Sequence, residues 1–182
     1  MISKRRNLVR TPTNSINETT DLCVLGLLFR DARTINGLVS AVRMIDTEPW
    51  TPTRDVLECS LERLIGQKSV VCLQSGRETY YSVTGTGIRQ FFELMKRPMG
   101  VGAFNVHCLL ALKSTFLEDV PTAIRVKVVQ ELVGYYSCKL TCLEQDCEEC
   151  LLGSNRGKVH YNLQVMQIRT ELDWLTDVAQ SA

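Results

Sequence analysis

Along the chain the apolar positions change period several times, and each change marks an element. The stretch DLCVLGLLFRDA is dense in leucine from Asp21 and ends in polar Asp31-Ala32-Arg33, which predicts a buried first helix of about three turns beginning near Thr20. Leu38, Ala41 or Val42, and Ile45 then recur at helical spacing after Asn36-Gly37, so a second helix ends near Asp46, before Pro49. In TPTRDVLECSLERLIGQK either Thr51 or Thr53 suits a helix cap and Pro52 suits the first turn. Leu57, Leu61, Leu64 and Ile65 mark its buried face, opposite Arg54, Asp55, Glu58 and Glu62. Two short runs follow, Val70 to Leu73 and Thr79 to Val83, separated by Ser75-Gly76-Arg77-Glu78, the pattern of a hairpin. Thr84 is placed to cap a fourth helix reaching about Lys96.

Beyond a break at residues 98–102 the pattern is helical throughout. Leu109, Leu112 and Phe116 repeat at i, i+3 and i+7. A longer helix from Pro121 carries the stripe Leu132, Tyr136, Leu140 and Leu143, and stops near residues 153–157. Tyr161, Val165, Ile168, Leu172, Leu175 and Ala179 then form a heptad seam. Such a seam either packs on the preceding helix of its own chain or pairs with a second copy. Three short helices followed by a two-stranded hairpin is the order of a winged helix-turn-helix domain. The expected fold is therefore mainly α with a small β-hairpin, in three parts: a flexible basic arm over 1–18, a winged helix-turn-helix DNA-binding domain over 19–98, and a helical dimerisation domain over 99–182. A winged-helix reader that needs two half-sites favours a two-fold homodimer over the internal solution.

Composition adds little until the chain is divided. The 182 residues are 45% hydrophobic and 23% charged, which is ordinary globular composition, and the formal net charge is only +1. Residues 1–98, however, hold 14 Lys and Arg against 10 Asp and Glu, while residues 99–182 hold 7 against 10. An anionic partner is thus expected at the front half. In a winged helix-turn-helix the hairpin tip lies over a DNA backbone, where Arg77 can reach phosphates or the minor groove. The candidate DNA-binding residues are Thr51, Thr53, Arg54, Glu58, Lys68 and Arg77, with Lys4, Arg5 and Arg6 in the arm. Glu58 and Glu62 are unfavourable near phosphate, although a carboxylate can accept a hydrogen bond from cytosine N4. The basic N-terminus lacks the apolar core of a signal peptide and no run approaches about 18 uninterrupted apolar residues, so a cytoplasmic location and no membrane partner are expected.

Candidate chemistry is sparse. Eight cysteines include Cys138, Cys142, Cys147 and Cys150, whose thiolates suit zinc or an iron–sulfur cluster. At 100° per residue Cys138 and Cys147 face opposite sides of an unbroken helix, so ligation needs a break near residues 144–146 or ligands from a second chain. Cys147 and Cys150 also extend the stripe ending in Leu143 as small apolar fillers, and packing with no cofactor is the expectation. Two histidines, His107 and His160, are too few for a histidine metal site. With no nucleophile elbow and no phosphate-cradling glycine loop, enzymatic activity is not expected. Trp50, Tyr135, Tyr136 and Trp174 suit either a core or an effector pocket.

Several motifs together resemble those of PadR-family transcriptional regulators. VLGLL (24–28) is similar to the family's apolar first-helix core, and Asn36-Gly37 to the glycine that opens its second helix. TYYSVTGTG (79–87) is similar to the wing motif YYxLTxxG, with Tyr81, Thr84 and Gly87 on its positions, and RTELDWLTDV (169–178) resembles the closing helix. The sequence departs from the family where Glu58 replaces a tyrosine in the recognition helix, Lys68 replaces a glycine after it, and Leu38 replaces another tyrosine. The resemblance implies promoter binding, a helical C-terminal dimerisation region and, in many members, a small aromatic or hydrophobic effector. The leading expectation is a dimeric transcriptional repressor. The competing ones are a winged-helix module that binds protein through Asp55, Glu58 and Glu62, and a metal or redox sensor built on the cysteine cluster.

Overall fold

The structure is a computed structural model that describes residues 16–45, 51–99, 106–150 and 155–180, with side chains through residue 145 before the last connection and from residue 156 after it. The chain divides into two compact units, Met1–Asp119 and Val120–Ala182.

Helix α1, Ile16–Arg30, runs through the core of the first unit, and ten consecutive residues from Thr19 to Leu28 are buried. It begins a turn earlier than the leucine-rich pattern predicts, because the Thr20 hydroxyl donates to the Ile16 carbonyl (2.9 Å) and so brings the polar Thr-Thr pair into the helix. Thr34 caps α2, Ile35–Val42, by accepting from the Gly37 amide. Of the two threonines suited to cap α3, Arg54–Gly66, Thr53 takes the position through its extended backbone, though its side chain makes no capping bond. Pro52 therefore lies just outside the helix rather than in its first turn, and it is buried there. Ile65, expected on the buried face, is instead 36% exposed, since Leu57, Leu61 and Leu64 already fill the stripe facing α1.

Strands β1, Val70–Ser75, and β2, Glu78–Val83, pair antiparallel from Val70–Val83 to Ser75–Glu78. Because Ser75 and Glu78 are themselves paired, the turn is only Gly76-Arg77, with Gly76 at φ +63, a position open to glycine. Helix α4, Gly85–Lys96, follows at once, capped by the Thr84 hydroxyl on the Gly87 amide (3.2 Å). Gly87 also lies against the base of the wing, where a Cβ would collide with the Ser69 carbonyl and the Val83 side chain. The sequence motif Thr-Gly-Thr-Gly thus has two physical tasks, a helix cap and a close backbone approach.

The first unit continues past residue 98. Helix α5, Val106–Thr115, buries Leu109, Leu112 and, just beyond its end, Phe116. The Phe116 ring rests on Gly26, where any Cβ would come within 2.5 Å of it. Arg30 closes the same corner, donating to Asp119 (2.8 Å) and the Thr115 carbonyl (2.7 Å) above the Phe116 ring. In the second unit α6, Thr122–Cys150, packs along α7, Asn155–Gln180, and Leu132, Ile168 and Leu175 are buried. Among the described residues no helix is long and apolar enough to cross a membrane.

The close approach at Gly87 sets a first expectation. Gly87→Ala must push Ser69 and Val83 apart and destabilises the protein by about 1–3 kcal/mol, read as a lower urea midpoint at unchanged m-value.

Candidate nucleic-acid interface

The exposed face of α3 is fixed by a polar lock on its hidden side. Asp21 of α1 is 5% exposed and accepts hydrogen bonds from Ser60 Oγ (2.7 Å), Arg63 Nη2 (2.5 Å) and Arg63 Nε (3.2 Å). The hydrogen bond from Arg63 to the carboxylate raises the arginine's pKa. With Ser60 and the leucines held inward, Asp55, Cys59 and Glu62 face outward, and Arg54 and Glu58 lie on the flank toward α2. Arg54 is engaged twice: Nε donates to Glu58 Oε1 (2.8 Å) and Nη1 to Asn36 Oδ1 (2.9 Å) of α2. Among the described residues no ion pair reaches Asp55 or Glu62.

The wing stands beside this helix. Tyr81 exchanges both backbone hydrogen bonds with Arg33 (2.8 and 3.0 Å), which ties β2 to the turn between α1 and α2. Burial is the main cause of the raised Tyr81 phenol pKa, and Cys72, Glu58 and Glu62 add to it against Arg54, so the ring lies within electrostatic reach of the α3 face. Val71 and Leu73 alternate along one exposed face of β1, and exposed Arg77 is the second residue of the tip.

At the junction of α3 and β1, Lys68 has φ 60, the left-handed region. Its amide donates to the Ile65 carbonyl (2.9 Å) and its own carbonyl accepts from Thr84 Oγ1 (2.8 Å), so both backbone groups hold it there. This geometry explains why a glycine suits the position, and it leaves the exposed lysine in a conformation that disfavours a Cβ.

The sequence-derived candidates thus fall into groups. Arg54, Glu58, Lys68 and Arg77 lie on α3, at its end and on the wing, with exposed Thr51 and Thr53 at the helix entrance. Lys4, Arg5, Arg6 and Trp50 lie outside the described residues. Of the α7 seam, Ile168 and Leu175 are buried, Tyr161, Val165 and Leu172 half-buried, and Ala179 exposed. A second stripe, Val159, Leu163, Met166 and Trp174, occupies the opposite side of α7 and is exposed.

Cys138 and Cys142 are exposed on α6, while the side chains of Cys147 and Cys150 lie outside the described residues. The backbone of α6 continues as one helix to Cys150, without the break at residues 144–146 that ligation by all four thiolates of one chain requires. Among the described residues no group of three or more His, Cys, Asp and Glu is placed to hold a metal. Burial pushes the Cys108 thiol up to about 12 and the Cys23 thiol higher still, so both remain protonated. Tyr135 and Tyr136 meet edge to face at 5.6 Å on α6. Sequence reasoning missed Asn36, Asp21 and Arg63. The i,i+4 spacing of Arg54 and Glu58 was the one available signal for their pairing.

No family model matches the chain, and no curated protein matches its sequence. Among solved structures it is similar to Bacillus subtilis PadR in complex with operator DNA, at 14% identity and TM-score 0.41, over 88% of this chain and 97% of that one. It is similar also to the same regulator in complex with p-coumaric acid, at 14% identity and TM-score 0.43 over 91% and 96% of the two chains. A third is the Vibrio cholerae virulence activator AphA, at 13% identity and TM-score 0.41 over 89% and 96%. The arrangement of α1 to α4 and the hairpin is itself that of a winged helix-turn-helix protein.

The left-handed backbone at Lys68 makes a second expectation. Lys68→Gly relieves it and raises the thermal midpoint, by about 1 kcal/mol at the transition, whereas Lys68→Ala leaves the backbone strain in place.

Proposed function

We propose that the chain is a sequence-specific DNA-binding transcriptional regulator, acting as a homodimer that represses by occupying promoter DNA. Helix α3 enters the major groove, and Arg77 on the wing and Lys68 at its base contact the phosphates. Thr51 and Thr53 and the basic arm at Lys4, Arg5 and Arg6 add to that contact. The observation that carries the reading is the uncovered face of α3 beside a hairpin whose two-residue tip holds an exposed arginine. A regulator of this kind has no catalytic role. A small aromatic or hydrophobic effector belongs to the same proposal, with the half-buried Tyr135 and Tyr136 as candidate contacts.

Dimerisation is assigned to the outer stripe of α7. Ile168 and Leu175 of the expected seam are already consumed on the same chain, whereas Val159, Leu163 and Met166 are each more than half exposed. Three large apolar side chains on one face of a helix favour a covered state.

A second reading is favoured by the outward carboxylates. Asp55 and Glu62, which no ion pair reaches among the described residues, place negative charge on the face offered to DNA, which suits a basic protein partner.

Salt separates the two readings. Purified protein should retard its own upstream DNA at low salt, with affinity falling linearly on a log–log plot as salt rises. Arg77→Ala or Lys68→Ala should weaken binding several-fold and reduce that slope by about 1 each. Absence of retardation at low salt gives the function to the protein-binding reading. Independently, light scattering at micromolar concentration should give a dimer mass that Leu163→Asp combined with Met166→Asp converts to a monomer. A monomeric wild type contradicts the homodimer.

A further inference from the structure

Arg54 sits at the entrance of α3, where a helix first meets the groove in helix-turn-helix proteins, and its guanidinium is held from two sides by two different helices. A surface arginine ordinarily samples many rotamers, and ordering it to bind a base costs free energy. Here Glu58 takes the Nε hydrogen and Asn36 takes one hydrogen of Nη1, which leaves the remaining Nη1 and Nη2 hydrogens to donate. The Glu58 carboxylate, which alone would repel phosphate, is compensated by the same contact at 2.8 Å. A fixed guanidinium fork with free Nη donors matches the O6 and N7 acceptors of guanine in the major groove.

We propose that Glu58 is a positioning residue, which together with Asn36 orients Arg54 to read one guanine in each half-site. This rests on the DNA-binding reading of α3 and deepens it. Glu58 touches no base itself. Its effect is on selectivity, because releasing Arg54 permits phosphate and alternative base contacts while removing a negative charge from the face near the duplex.

The test is selection of bound sequences from a random duplex library, with wild type, Glu58→Ala, Glu58→Gln and Arg54→Ala compared at equal salt and thermal midpoints checked for each. Wild type should enrich guanine at one position per half-site by about tenfold. Glu58→Ala should lower that preference to about twofold or less at that position only, with affinity for non-specific duplex unchanged or higher. Glu58→Gln, which keeps an acceptor for Nε, should retain most of it, and Arg54→Ala should abolish it. The positioning role is overturned if Glu58→Ala keeps the wild-type preference. It is also overturned if Arg54→Ala weakens all sequences equally with a shallower salt slope, the behaviour of a phosphate contact. A wild type that enriches no sequence removes the DNA-binding reading and this inference together, so the two failures are distinguishable.

Discussion

A carboxylate buried in the middle of an apolar helix must find donors, and among the described residues those of Asp21 all lie on α3. Ser60 and Arg63 close on it at 2.5–3.2 Å, one turn apart on the face where Leu57, Leu61 and Leu64 pack. Apolar packing alone tolerates small rotations of a helix about its axis, whereas three directed hydrogen bonds do not. The lock therefore sets which side chains of α3 look outward. Asp55, Glu62 and the Arg54–Glu58 pair owe their placement to it.

The base of the wing shows the same economy at backbone level. Lys68, Ser69, Thr84 and Gly87 form one junction in which the Ser69 carbonyl accepts from both the amide and the hydroxyl of Thr84, and Gly87 leaves room for it. The left-handed turn at Lys68 reverses the chain from α3 into β1, and the Arg33–Tyr81 bridge fixes the other strand. The hairpin is thus anchored at its root on both strands, while its tip at Gly76-Arg77 projects free of the core.

Much of this was legible in the sequence because the elements follow from local chemistry. Thr84 before two glycines announced a cap, the Val-Leu and Tyr-Val runs announced paired strands, and the leucine spacing of α3 named its buried side except at Ile65. Long-range pairing was not legible. Nothing local tells Asp21 that Arg63 lies 42 positions away, or Arg54 that Asn36 is its second partner. The heptad spacing of α7 gives a face and not the identity of what covers it. In the chain Ile168 and Leu175 are buried in the unit where α7 packs along α6, and the apolar residues between the heptad positions are the ones left uncovered. Lys68 illustrates another limit: among the described residues it is the non-glycine residue with positive φ, and nothing in the local sequence pattern announces that backbone.

On the DNA-binding reading proposed above, α3 and the wing form one surface that meets a duplex. Amide hydrogen exchange with and without a selected duplex tests it most directly, because protection is read residue by residue. The expected result is slowed exchange concentrated in residues 51–66 and 70–83, with α6 unchanged. Protection confined to α6 and α7, with residues 51–83 exchanging as in the free protein, would contradict it.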